Sequence, residues 1–176
     1  MLASWILIGL NLIVFFITDF VFNNTNIKVF FGLNVYFLNG AWWQIFTTLF
    51  IHANFLHLFM NMSVLYGFGS LLERHLGSIK FAFLYVIGGV LTSILSLSYL
   101  LVNTSVNLIG ASGAICVLLG FVAFYDKANT KGLLIALLVM SFAPLLLGIS
   151  VAWYAHIFGF IVGYLAGKFR NAIRFF

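Results

Sequence analysis

Between Lys80 and Asp126 the chain carries no Asp, Glu, Lys or Arg, and none again between Lys131 and Lys168. A helix needs roughly 20 residues to cross about 30 Å of hydrocarbon, so each stretch has room for two spans joined by a turn. A soluble domain needs a charged shell, and 6% charged against 64% hydrophobic residues cannot build one. The mean hydropathy of +1.19 agrees. A surface of this kind suits lipid, where every backbone bond must close internally and helices are therefore expected.

Other boundaries follow from polar clusters. The first apolar run, near Leu2–Phe22, lacks a basic leader and exceeds a signal-peptide core, so it reads as the first span. Asn23, Asn24, Asn26, Lys28, Asn34 and Asn39 make the next segment too polar to cross. A second span is expected near Trp43–Leu72, after a non-helical start, ending at Glu73-Arg74-His75. The turn-prone residues Asn103–Asn107 divide spans three and four. Pro144 and Gly148–Ser150 are the candidates to divide spans five and six. The expected fold is an all-α integral membrane protein, one domain of six transmembrane helices over residues 1–176, with no soluble accessory domain.

Seven of the eight basic residues (Arg74, Lys80, Lys127, Lys131, Lys168, Arg170 and Arg174) then share one side of the membrane. The positive-inside rule makes that side, and both termini, cytoplasmic. The net charge of +5 does not indicate nucleic-acid binding, because the charges are scattered between apolar runs and form no continuous basic face. The single Cys116 excludes an intramolecular disulfide.

Polar side chains at membrane depth are costly and draw attention to function. Depth is counted at about 1.5 Å per residue from the charge that ends each helix. Ser112, 14 residues before Asp126, lies about 21 Å up, and His156, 12 before Lys168, about 18 Å. His57 and Asn61 precede Glu73 by 16 and 12 residues, giving about 24 and 18 Å. Three helices thus place four polar groups in one layer, about 10 Å below the outer surface. His57 and Asn61, four apart, share a helix face. His52, nine residues before Asn61, falls out of phase and belongs at the outer boundary.

Each residue has a plainer role to weigh. Gly110-Ala111-Ser112-Gly113 could be a small-residue packing patch. Alternatively, Ser112 is a nucleophile at a helix start, where free N–H groups stabilise an oxyanion and the glycines admit a substrate backbone. His156 could be a buried histidine paired to a carbonyl. It precedes Gly159, Gly163 and Gly167, a close-packing stripe that turns it toward another helix. His57 and Asn61 could be interhelical glue, or donors to a developing negative charge. A metal site built from the outer histidines has no carboxylate to support it.

Four segments in order, His52-Ala-Asn-Phe-Leu-His57-Leu-Phe-Met-Asn61, Leu72-Glu73-Arg74-His75-Leu76-Gly77-Ser78, Gly110-Ala111-Ser112-Gly113 and Ala155-His156-Ile-Phe-Gly159-Phe-Ile-Val-Gly163, resemble the rhomboid intramembrane serine proteases. The resemblance implies a rhomboid-like six-helix bundle with Ser112 as nucleophile and His156 as general base, then acid. It implies an oxyanion hole of His57, Asn61 and the Ser112 N–H. His52 would be structural, and Gly159 and Gly163 would pack the sixth helix on the fourth. It implies transmembrane protein substrates, cut near the outer end of their helices, and no metal or cofactor. Two positions depart from the family's pattern. Gln44 follows Trp43 where some members carry Arg. Cys116 stands where an aromatic often stacks on the catalytic histidine, which leaves the orientation of His156 without that support. Burial makes Cys116 itself a packing residue.

Two other functions compete. Inactive rhomboid-like proteins bind membrane clients, but typically lack the Ser or His that this chain retains. A channel or transporter would be expected to show internal repeats or intramembrane charge. The bare six-helix build suggests a bacterial inner membrane. The apolar segment around Pro144–Val151 is expected to form a mobile outer cap over the site.

Overall fold

Polar and charged punctuation cuts the chain into helices much as expected. The structure, a computed structural model, describes residues 1–22, 25–146 and 150–173. It contains α1 (Leu2–Val21), α2 (Thr25–Phe31), α3 (Gln44–Thr47), α4 (Phe55–Leu76), α5 (Ser78–Leu100), α6 (Ser112–Tyr125), α7 (Thr130–Leu146) and α8 (Trp153–Ile173). Gly148, Arg174 and the middle of the expected cap lie outside the described residues. Large apolar side chains stand exposed along the outer helices, among them Leu2, Ile6 and Ile13 on α1 and Ile135 and Leu138 on α7. The protein is a multi-pass membrane protein, and these side chains take lipid as their solvent.

The second span has the irregular start expected of it, but its long helix begins only at Phe55, later than Trp43. Residues 43–54 form α3, a 3-10 turn and an extended link, and α4 starts where the Asn54 side chain accepts a bond from the His57 N–H at 2.9 Å. At its other end α4 runs through the expected Glu73-Arg74-His75 and stops one residue later, at Leu76. Arg74 and His75 are exposed, but the Glu73 carboxylate is buried. It accepts bonds from the Ala3 and Ser4 N–H groups, both at 2.9 Å, and from the Ser4 and Ser78 hydroxyls. The first amides of a helix lack intrahelical partners, so Glu73 caps α1 from another helix and its charge suits the positive helix end.

At the centre is α6, with Ala114 through Phe121 buried in unbroken succession. Its 14 residues give about 21 Å, too short for the bilayer. The chain therefore enters the bundle as non-helical backbone, which is tolerated at depth only where protein satisfies it. Leu33 and Leu108 exchange both backbone bonds, at 2.9 and 2.8 Å. The Thr48 hydroxyl donates to the Leu108 carbonyl, and the Gly110 N–H donates to the Thr48 carbonyl at 2.9 Å.

α8 packs on α6 with backbone nearly touching backbone. A Cβ at Gly159 would overlap the Gly113 carbonyl, one at Gly163 the Val117 carbonyl, and one at Gly120 the Phe160 carbonyl. Gly163→Ala is therefore expected to lower stability by about 1–3 kcal/mol through overpacking. Gly9→Ala, with open space around it, should leave stability unchanged. Thermal unfolding in detergent measures the contrast.

Candidate active site

Ser112 is the first residue of α6, and its placement begins one turn of chain earlier. Gly110 has φ of 121°, a conformation that L side chains resist, and it swings the backbone into the helix. The residues after Ala111 present the start of α6, with its positive dipole end, to the space beside the Ser112 hydroxyl. Ser112 itself is half-buried.

Because glycines bring α8 so close, His156, in the first turn of α8, meets Ser112 directly. Its Nε2 lies 2.9 Å from the Ser112 Oγ, and only 3% of the residue is exposed. The other ring nitrogen, Nδ1, lies 3.1 Å from the hydroxyl of Ser141 on α7. Sequence reasoning missed Ser141. The signal was a hydroxyl at membrane depth amid Val139, Met140 and Phe142, the kind of group that drew attention to Ser112. Cys116 is fully buried against Gly159, and its small side chain leaves room for that approach.

His57 lies over the same turn. The Cε1–Nε2 edge of its ring sits where a Cβ on Gly110 would be, within 2.9 Å of that position. The Ala53 N–H donates to His57 Nδ1 at 3.4 Å, so in the neutral ring Nε2 carries the hydrogen and points a donor toward Gly110. Asn61, one turn further along α4, donates from its amide to the His57 carbonyl at 2.7 Å.

His52 departs from the helical phase assigned to it. It precedes α4, so no helical phase applies, and its ring meets His57 edge to face with centroids 5.1 Å apart. Its Nδ1 donates to the Phe50 carbonyl at 3.3 Å. Burial, and secondarily His57, holds its ring pKa down at about 3, so it stays neutral. Gln44 also does more than its sequence context suggested. Fully buried, it accepts from the Asn34 N–H at 3.2 Å and donates to the Phe30 carbonyl at 3.2 Å, tying the loop that holds Leu33. Among the described residues no three His, Cys, Asp or Glu side chains gather as a metal site.

The rhomboid domain family matches residues 39–171, which include Ser112, His156, Ser141, His57, Asn61 and His52. The chain belongs to the rhomboid family. Among its relatives is the rhomboid protease GlpG of Haemophilus influenzae, 30% identical in an alignment 141 residues long that covers 75% of this chain and 71% of that protein. A putative rhomboid protease of Bacillus subtilis, YdcA, is 30% identical over 76% of this chain and 70% of its own length. RHOMBOID-like protein 4 of Arabidopsis thaliana is 36% identical over 71% of this chain, which spans only 33% of that longer protein.

Within the rhomboid fold of this chain, Gly110→Ala is expected to force both the backbone and His57 to move. A cost of about 1–3 kcal/mol in unfolding free energy is expected, read by thermal unfolding in detergent.

Proposed function

We propose that this rhomboid protein is an intramembrane serine endopeptidase that cuts transmembrane protein substrates through an acyl-enzyme. The observation that carries this reading is the 2.9 Å approach of His156 Nε2 to Ser112 Oγ at the start of α6. His156 takes the hydroxyl proton as Ser112 Oγ attacks the scissile carbonyl. The resulting oxyanion lies near the Ser112 N–H and the donors of His57 and Asn61. The tetrahedral adduct collapses, and His156 Nε2–H gives its proton to the leaving amine. Water then attacks the acyl-Ser112 ester, passing a proton to His156, and His156 returns that proton to Ser112 Oγ as the adduct expels it.

The shallow depth of Ser112 supports access of water from the outer face. It also favours substrates whose helices unwind near that face, since an intact helix shields its own carbonyls. The protein works without a metal or cofactor, in a bacterial inner membrane with both termini in the cytoplasm. His52 supports the loop, and Gly110, Gly113, Gly159 and Gly163 hold the dyad together.

Cleavage of a single-span substrate in liposomes tests the reading. Ser112→Ala and His156→Ala should each lose at least about 10³-fold in rate, and Cys116→Ala should keep it. His57→Ala and Asn61→Ala should lose about 10- to 10³-fold in kcat. Cleavage that survives Ser112→Ala would reject the dyad, and no cleavage across several substrates would favour a client-binding role. Orientation is read separately. In a Cys116→Ala background, a cysteine at Lys127 should react with a membrane-impermeant maleimide only from the cytoplasmic side, and one at Asn103 only from outside.

A further inference from the structure

We propose that Ser141 is a positioning residue that fixes the tautomer of His156, and with it the direction of proton transfer from Ser112; this deepens the serine-protease reading and rests on it. A histidine that serves as base through Nε2 must carry its own hydrogen on Nδ1. In hydrolytic triads a carboxylate enforces this. Here none is at hand, because the chain has three acids and each is engaged elsewhere. Asp19 pairs with Lys28, Glu73 caps α1, and Asp126 accepts from Asn129.

Ser141 supplies the missing acceptor through a simple inventory of hydrogens. A serine hydroxyl has one hydrogen and two lone pairs. In Ser141 the hydrogen goes to the Leu137 carbonyl, one turn back on α7, at 2.7 Å. A lone pair is what remains to face His156 Nδ1 at 3.1 Å. Nδ1 must then be the donor, which leaves Nε2 bare toward the Ser112 hydroxyl at 2.9 Å. Ser141 is fully buried, so water does not compete for the contact. The opposite arrangement, with Ser141 donating to Nδ1, would place a hydrogen on Nε2 and leave His156 unable to accept the Ser112 proton. As the imidazolium forms, the same oxygen continues to accept from Nδ1–H. Cys116 offers no such bond, so the aromatic support absent from α6 is replaced by a hydroxyl on α7.

The test combines nitrogen-15 NMR of the imidazole rings with kinetics on the same purified protein in detergent. The chain has four histidines, and the spectrum of His156→Asn identifies the signals of His156. Wild type is expected to show the Nδ1–H tautomer at neutral pH. Ser141→Ala should shift the ring toward a mixture or the Nε2–H form and lower kcat about tenfold, the worth of one buried hydrogen bond, with KM unchanged. Ser141→Thr keeps the hydroxyl and should restore both readouts to within about twofold. An Nε2–H ring in the wild type overturns the proposal, even if Ser141→Ala does not fold. So does a ring signal or a kcat that Ser141→Ala leaves unchanged. An Nδ1–H ring that depends on Ser141, in protein that cleaves no substrate, supports the positioning role and counts against the protease reading instead.

Discussion

The architecture depends on satisfying the backbone that leads into α6. A helix of 14 residues cannot cross the bilayer, so the chain descends as irregular backbone before it can start coiling. Each unpaired amide at that depth would cost several kcal/mol. The Leu33–Leu108 bridge, the Thr48 hydroxyl and the Thr48 carbonyl remove that cost. They come from the segment that precedes α4, whose own shape is held by Gln44 and Asn34. The loop is thus a structural part of the membrane domain. It allows a helix to begin inside the bundle, with its free amides and positive end beside the Ser112 hydroxyl.

A second constraint acts across α6 and α8. Their glycines let the main chains meet, and at that distance the first turn of one helix faces the first turn of the other. Lipid gives apolar helices no strong reason to prefer each other over the bilayer, so close van der Waals fit must hold the pair. The same fit that stabilises the bundle brings His156 to Ser112. Stability and site geometry therefore share residues, and a methyl group added at Gly159 or Gly163 would disturb both.

The charged residues that the sequence marked as punctuation have more specific duties in the fold. Glu73, which the sequence placed at the end of the second span, is buried and closes the start of α1. Lys28 lies on α2 and reaches Asp19, at the other end of α1, at 2.8 Å. One buried acid on α4 and one base on α2 thus fasten the two ends of the same helix. The tool in both cases is a charge placed against backbone or against its opposite, where low polarity strengthens the bond.

By itself the sequence determined the membrane class, the approximate spans and the shared depth of Ser112, His156, His57 and Asn61. Those follow from hydropathy, charge spacing and the fixed rise of a helix, all of which are local. The glycine stripe also showed that His156 must face a neighbouring helix. The sequence did not reveal that α4 starts at Phe55, because an Asn cap is a local signal that apolar runs on both sides obscured. It also gave His52 a helical phase where there is no helix. The burial of Gln44 and Glu73 and the contact of Ser141 with His156 were decided only by tertiary structure. Each is a hydrogen bond between segments distant in the chain, and no periodicity in a sequence encodes which distant partner a polar group will find.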